Sequence, residues 1–381
     1  MLSGIAAAPR VFGERRVAGP RDAREDGTHA PRAGAPRGER AKRGDGCGRV
    51  VERGAAQAIE TDHHEHVRHG AARDDTVPGM TRPIESVVVV GYGVMGEGIV
   101  RSFADAGFRV TVVSRRARSL AGVPPGVTVT AELPASPSDL VIETIVEEAG
   151  AKRAVYKQVE AVYPPETIIG TNTSGLPLET LAAGLAHPER FVGVHWFHPA
   201  DVFPMVEVVA GPAAPAAILE RVATALERTG KEPIVLTRPV VGYVINRLQH
   251  TILHEAYHMI DAGIASAATI DKVARWLLGP RMCVTGLVEQ KDIAGLTIHA
   301  FAQRSIVPTL HHTATPNAML QSMVARGDTG LEAGRGFFDW AGLDAAAVRR
   351  DASARLRALL DTLERLRPAA APRSRAREEL P

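Results

Sequence analysis

The stretch "SVVVVGYGVMGEGIVRSFADAGFRVTVVSRR" at residues 86–116 constrains this chain more than any other. Val87 to Val90 form an unbroken apolar run, as in a strand buried on both faces. Gly91, Gly93 and Gly96 then spell G-x-G-x-x-G, and an amphipathic helical pattern leads to a second strand, "FRVTVV". In that setting the glycines allow a tight turn, close approach of a pyrophosphate and tight helix–strand packing. The helix that follows aims its first N–H groups at the phosphates. The turn residues Gly91, Gly93, Val94, Met95 and Gly96 are therefore the expected dinucleotide contacts.

The end of the second strand bears on which dinucleotide is bound. A carboxylate there hydrogen-bonds the ribose hydroxyls of NAD. Here the position is Ser114, followed by Arg115 and Arg116. A hydroxyl and guanidinium groups would bind a 2′-phosphate that a carboxylate would repel. The residues lean toward NADP, with NAD left open. The alternative for the arginines is a solvated surface pair.

Strand and helix patterns keep alternating. "DLVIETIVE" (139–147) reads as a buried strand and "AKRAVYKQVEAVY" as an amphipathic helix. "TIIGTNTSG", "RFVGVHWF" and "MVEVVAG" read as further strands. The fold class is therefore α/β, a Rossmann-type doubly wound, mainly parallel sheet, followed by an all-helical C-terminal domain. Ligands in such a sheet sit beyond the carboxyl ends of its strands. Glu147, Ser174 and His195 fall at or just past such ends.

The expected organisation is a leader over 1–80, a dinucleotide-binding domain over 81–237, a helical substrate and dimerisation domain over 238–342, and a helix with a disordered tail over 343–381. The leader is rich in Arg, Gly, Ala and Pro, with too few large apolar residues to offset chain entropy. Acidic residues at Glu14, Asp22, Glu25 and Asp26 argue against a transit peptide. His63, His64, His66 and His69 could bind a metal adventitiously, but a tract expected to be unfolded offers no set geometry for a functional site. Met80, directly ahead of the first strand, reads as the natural start; an intact mass that includes residues 1–79 would overturn this.

The net charge of +2 gives no electrostatic case for nucleic acid or an acidic membrane. No apolar run is long enough to span a bilayer. Two cysteines, Cys47 and Cys283, rule out a disulfide framework and fit a reducing cytoplasm.

"GYGVMG", "GTNTSGLPLETLA", "VGVHWFHPADVFPMVEVV" and "RPVVGYVINRL" follow one another in order. Together they resemble the L-3-hydroxyacyl-CoA dehydrogenase family from residue 84 to about 340, where the chain reads "GRGFFDW". The resemblance implies oxidation of the 3-hydroxyl of a 3-hydroxyacyl-CoA to the 3-oxo form, or its reverse, by hydride exchange with NAD or NADP. His195 matches the family's catalytic histidine and Glu207 its paired carboxylate. Ser174 and Asn246 match residues at the substrate oxygen. Glu147 and Lys152 match positions against the cofactor, and His198 stands where the family has a nicotinamide-side asparagine. The chemistry agrees: alcohol oxidation needs a base near neutrality, and a carboxylate on the far ring nitrogen sets the tautomer. Taken alone, His195 could be a satisfied core histidine, Ser174 a helix cap and Lys152 a solvated helix lysine.

The Pro-rich stretch between Ser114 and Glu147 is short. Acyl-CoA members of the resembled family have a longer helical excursion there that helps hold CoA. Dehydrogenases of free hydroxy acids, gulonate- or carnitine-like, therefore compete with the acyl-CoA reading. A cofactor-binding protein without turnover is a further alternative. The expected partners are a small-molecule substrate and a second copy of the chain, with neither nucleic acid nor membrane.

From Val240 onward apolar residues recur at three- and four-residue steps, which predicts one long helix, "VVGYVINRLQHTILHEAYHMIDAG". Further helices are expected over "SAATIDKVARWLLG", "VEQKDIAGLTIHAFAQRSI", "PNAMLQSMVARG" and "AAAVRRDASARLRALLDTLERL". "HEAYH" (254–258) in the first helix matches the zinc-protease pattern H-E-x-x-H. The sequence offers neither a third ligand nor a substrate-binding edge, so the expected metal content is none.

Overall fold

A computed structural model describes residues 82–368. The expectations for the leader, for Met80 and for the extreme C-terminal tail lie outside the described residues.

The apolar runs become a sheet. Its strands are β1 (Ser86–Val90), β2 (Arg109–Val113), β3 (Thr128–Thr130), β4 (Leu140–Glu143), β5 (Ile168–Thr171), β6 (Phe191–Trp196), β7 (Met205–Ala210) and β8 (Glu232–Leu236), in the spatial order β3-β2-β1-β4-β5-β6-β7-β8. All neighbours are parallel except β6 and β7. Chain order reverses where β1 meets both β2 and β4, and in such sheets ligands sit beyond the carboxyl ends of the strands at that point. The strands of the middle are buried throughout because helices cover both faces. On one face, α1 (Val94–Asp105) and α4 (Ala216–Arg228) pack Ile99, Phe103, Val222 and Leu226 against Val87, Val89 and Ile142. On the other, α2 (Ala149–Val162) and α3 (Leu178–Ala182) pack Tyr156, Val159 and Leu181 against Val88, Val141 and Ile169.

Two strands, β3 and β8, were not expected from the sequence. β3 is short and borders the sheet, and β8 (EPIVL) carries a proline at its second position and lies half exposed at the other edge. The expected strand over 139–147 is shorter than its apolar pattern. It stops at Glu143, whose carboxylate accepts the Ile145 N–H at 2.7 Å and turns the chain out of the sheet.

The helical half comprises α5 (Ile245–Asp261), α6 (Ala267–Val273), α7 (Gly279–Thr285), α8 (Glu289–Ala294), α9 (Leu296–Ile306), α10 (Ala318–Ala325) and α11 (Ala345–Arg365). The single helix expected from Val240 begins only at Ile245. Gly242 and Tyr243 both take positive φ, +79° and +49°, and no helix runs through two such residues. The helix expected over 288–306 is two, because Gly295 at φ +95° separates α8 from α9. No described helix is long and apolar enough to cross a membrane.

Asp139, at the start of β4, holds the start of β1. Its Oδ2 accepts from the Glu85 N–H (3.0 Å), the Ser86 N–H (2.9 Å) and the Ser86 hydroxyl (2.7 Å). Burial works to raise this carboxyl's pKa, but the Ser86 hydroxyl and the two N–H groups outweigh it and leave the pKa below the usual value. A depressed carboxyl stabilises above its unfolded pKa, and that contribution disappears as pH falls through the lower folded value. Asp139→Asn is therefore expected to lower stability by roughly 1 kcal/mol at pH 7. The difference from the parent should be smaller at about pH 3. Urea midpoints at the two pH values check this, and an equal deficit at both would be inconsistent with it.

Candidate functional site

The turn after β1 is shaped for close approach. Gly91 has φ +108°, and a Cβ there would lie 2.7 Å from the Thr144 carbonyl oxygen. A Cβ on Gly96 would collide with the Gly91 carbonyl, while one on Gly93 would meet open space. Gly93 caps α1 with no side-chain hydrogen bond, and the first intrahelical bond is from Glu97 N–H to the Gly93 carbonyl at 3.0 Å. The N–H groups of the turn, including those of Val94 and Met95, thus carry no helical partner. Val94 stands 71% exposed beside them. An open glycine, uncapped N–H groups and a helix dipole suit a pyrophosphate, so the residues present fit a nicotinamide dinucleotide.

Ser114 follows β2 and is half-buried; its Oγ accepts the Arg116 N–H at 3.2 Å. Arg116 turns back to the Tyr92 carbonyl at 3.3 Å. Arg115 is exposed and makes no ion pair among the described residues.

His195 and Glu207 face each other across the antiparallel β6–β7 ladder, as direct register partners. His195 Nδ1 lies 2.8 Å from Glu207 Oε2, and both residues are buried. With the carboxylate ionised, Nδ1 carries the proton and Nε2 keeps a lone pair. Nε2 faces Ser174 Oγ at 3.2 Å. The imidazole is boxed by the rings of Phe197 (4.9 Å between centroids) and Tyr243 (5.1 Å). The other Glu207 oxygen accepts the N–H groups of Val244 (2.9 Å) and Ile245 (3.2 Å), at the entry to α5. Asn246, in the first turn of that helix, brings Nδ2 to 3.4 Å from the Ser174 carbonyl. His195, Glu207, Ser174 and Asn246 are thus brought together from two strands, a loop and the first turn of α5.

Glu147 and Lys152 join the same set. Glu147 Oε1 accepts from the Thr173 hydroxyl (2.6 Å) and from the N–H groups of Ser174 (2.9 Å) and Gly175 (3.2 Å). Burial works to raise its pKa, but these donors and the Lys152 ammonium bring it below the usual carboxylate range. Lys152 is not a solvated helix lysine. It is 1% exposed, between Glu143 (2.7 Å) and Glu147 (3.2 Å). His198 is exposed, just past β6, and makes no hydrogen bond to the His195 set.

Sequence reasoning passed over Glu143, Tyr156, Asn172 and Tyr243. Asn172 Oδ1 accepts the Trp196 N–H at 2.8 Å and so ties the β5 loop to the end of β6. The signal for Glu143 was an acid closing an apolar strand ahead of a helix with Lys152 and Tyr156 one turn apart.

The H-E-x-x-H histidines lie elsewhere on α5. His258 stacks flat on His311, with centroids 4.3 Å apart and planes 5° apart, and His254 lies 4.7 Å from the same ring. Ring faces meet here, and among the described residues no cluster is arranged to hold a metal ion.

Comparison with known proteins accords with this geometry. The family model for the 3-hydroxyacyl-CoA dehydrogenase NAD-binding domain matches residues 86–128 and 126–239, and that for the C-terminal domain of the same enzymes matches 242–340. The probable 3-hydroxybutyryl-CoA dehydrogenase of Bacillus subtilis is 30% identical over 288 residues, covering 68% of this chain and 98% of the relative. The 5-formyl-3-hydroxy-2-methylpyridine 4-carboxylate 5-dehydrogenase of Mesorhizobium japonicum is 27% identical over 305 residues, covering 74% and 99%. A crystal structure of an enzyme of that name, described as an NAD+-dependent dismutase, superposes with a TM-score of 0.69 at 27% identity, again covering 74% and 99%.

Glu207→Ala would leave His195 Nδ1 and two N–H groups without their acceptor. It is expected to lower stability on the order of 3 kcal/mol. Chemical denaturation of the folded variant reads this directly, and an unchanged midpoint would show that the three bonds contribute nothing.

Proposed function

Since the chain belongs to the 3-hydroxyacyl-CoA dehydrogenase family and is an oxidoreductase with an NAD-binding domain, we propose that it interconverts a hydroxyl and a carbonyl with His195 as acid and base. The observation that carries this is the His195–Glu207 pair, with Nε2 turned to Ser174. A dinucleotide would supply the hydride acceptor or donor; Gly91, Gly93, Val94, Met95 and Gly96 would hold it, with Glu147 and His198 beside it and the buried Lys152 behind Glu147. His195 Nε2 takes the hydroxyl proton in oxidation and returns it in reduction. Glu207 keeps Nδ1 protonated and stabilises the imidazolium formed at that moment. Ser174 Oγ and Asn246 Nδ2 donate to the substrate oxygen as negative charge develops on it. Phe197 and Tyr243 exclude water from the imidazole.

We assign a small free carboxylic acid as the substrate class ahead of a CoA thioester. Between β2 and β4 the chain has only β3 and one turn of 3₁₀ helix at Ala117–Ser119, so no helical excursion is available to hold CoA. The similarity to a pyridine carboxylate dehydrogenase over nearly its whole length supports this. The acyl-CoA reading is supported by the family itself and by the Bacillus relative. Parallel assays with acetoacetyl-CoA and with free hydroxy acids decide between them; turnover of the thioester alone would overturn the assignment.

His195→Gln should lower kcat by about 10²- to 10⁴-fold while the reduced cofactor still binds. Undiminished turnover would refute the role given to His195, and an inactive parent would favour binding without catalysis.

The unpaired Arg115 beside Ser114 supports NADP. Ser114→Asp is expected to move the kcat/KM ratio toward NAD by at least tenfold, since a carboxylate repels the 2′-phosphate. A ratio that does not move would leave these residues without a part in cofactor choice.

The helical half pairs with a second copy. Trp276 (74% exposed), Val288 (74%) and Phe301 (72%) are among many large apolar side chains left uncovered there, beyond what a monomer leaves to water. Light scattering should give twice the chain mass, and a monomer at micromolar concentration would contradict it.

A further inference from the structure

Behind the glycine turn lies a buried ionic cluster that proton and hydride transfer do not use. Glu143 ends β4 with 0% exposure, and Lys152 on α2 is 1% exposed. Glu143 Oε1 accepts from the Lys152 ammonium and the Ile145 N–H, both at 2.7 Å. Its Oε2 accepts from the Tyr156 hydroxyl at 2.7 Å and the Thr171 hydroxyl at 3.0 Å. Burial, with the Glu143 charge beside it, pushes the Tyr156 phenol far above its usual pKa, so it remains a donor.

The cluster does not end there. Lys152 reaches Glu147 Oε2 at 3.2 Å. Glu147 gathers the Thr173 hydroxyl and the Ser174 and Gly175 N–H groups on its other oxygen. Ser174 Oγ is 3.2 Å from His195 Nε2. One unbroken chain of charged and hydrogen-bonded groups therefore runs from the sheet interior to the imidazole. Packing alone does not call for it, because apolar residues of like volume fill such a space at no loss of stability. Its particular property is that Lys152 lies between two carboxylates, so the position of the ammonium depends on both.

We propose that Glu143 is a positioning residue, which anchors Lys152 so that Glu147 holds residues 173–175 in the place that sets Ser174 Oγ against His195. Glu143 touches neither substrate nor cofactor in this reading. The inference rests on His195 being the acid and base, but its test does not need turnover.

The test compares the parent, Ser174→Ala, and the double variant Glu143→Gln with Lys152→Met. Either substitution of the pair alone leaves a buried charge without its partner and endangers the fold. The double variant removes one charge of each sign and keeps the net charge. Thermal melting, the NMR titration of the His195 imidazole and kcat are read in each. The expected result is a Tm of the double variant within a few degrees of the parent. Its His195 titration should be displaced from the parent's in the same direction as in Ser174→Ala. Its kcat should be lower by about tenfold or more. A parent-like titration and kcat together with a parent-like Tm would overturn the proposal and leave the pair a structural one. If the double variant does not fold, Tyr156→Phe removes one donor from Glu143 without changing charge; a titration shifted as in Ser174→Ala upholds the proposal, and a coincident one overturns it. A parent that turns over no hydroxy acid or thioester would count against the proposed function, and the titration would still judge Glu143.

Discussion

One carboxylate joins the two halves of this protein. Glu207 stands on β7 with no exposure to solvent, and each of its oxygens serves a different element. Oε2 holds the imidazole of β6, and Oε1 takes two N–H groups at the entry to α5. An isolated buried carboxylate would be far too costly to keep charged. Three donors make it tolerable, and in doing so they fix the tautomer of His195 and the point from which the helical half departs. Movement of α5 away from the sheet would strip donors from the same carboxylate that orients the imidazole.

The departure point is itself strained. Tyr243 is a non-glycine residue at φ +49°, a backbone state that costs about 1 kcal/mol or more. Its neighbours are the two N–H groups given to Glu207, and its ring lies against His195. Its hydroxyl is buried without a hydrogen-bond partner. The surrounding contacts hold this conformation in place, as is expected where a residue serves the site more than its own local preference.

Much of the nucleotide half was legible because its signals are local. Buried strands need apolar runs, and the turn after β1 needs glycine, since Gly91 and Gly96 leave no room for a Cβ. The helical half was legible only in outline. Its apolar periodicity continues through Val241 and Val244, but the helix does not, because Gly242 and Tyr243 turn the backbone the other way. The edge strands β3 and β8 escaped notice because half-exposed edges carry neither a continuous apolar run nor a clean alternation. Lys152 could be read as a solvated helix lysine because nothing within a few residues of it announces Glu143 as its partner.

The sequence by itself determined the buried strands of the sheet, the cofactor turn and the family blocks, since each depends on residue types within a few positions of one another. His195, Glu207, Ser174 and Asn246 could be nominated from it one at a time. Only the tertiary structure decided that they meet. His195 faces Glu207 through the β6–β7 register, and Asn246 reaches the Ser174 loop because Glu207 caps the turn that starts α5. It likewise decided that Glu143 and Lys152 are buried together behind the cofactor turn. The reason is that burial and pairing of charge depend on which segments the sheet brings side by side, and residues tens of positions apart carry no local trace of that arrangement.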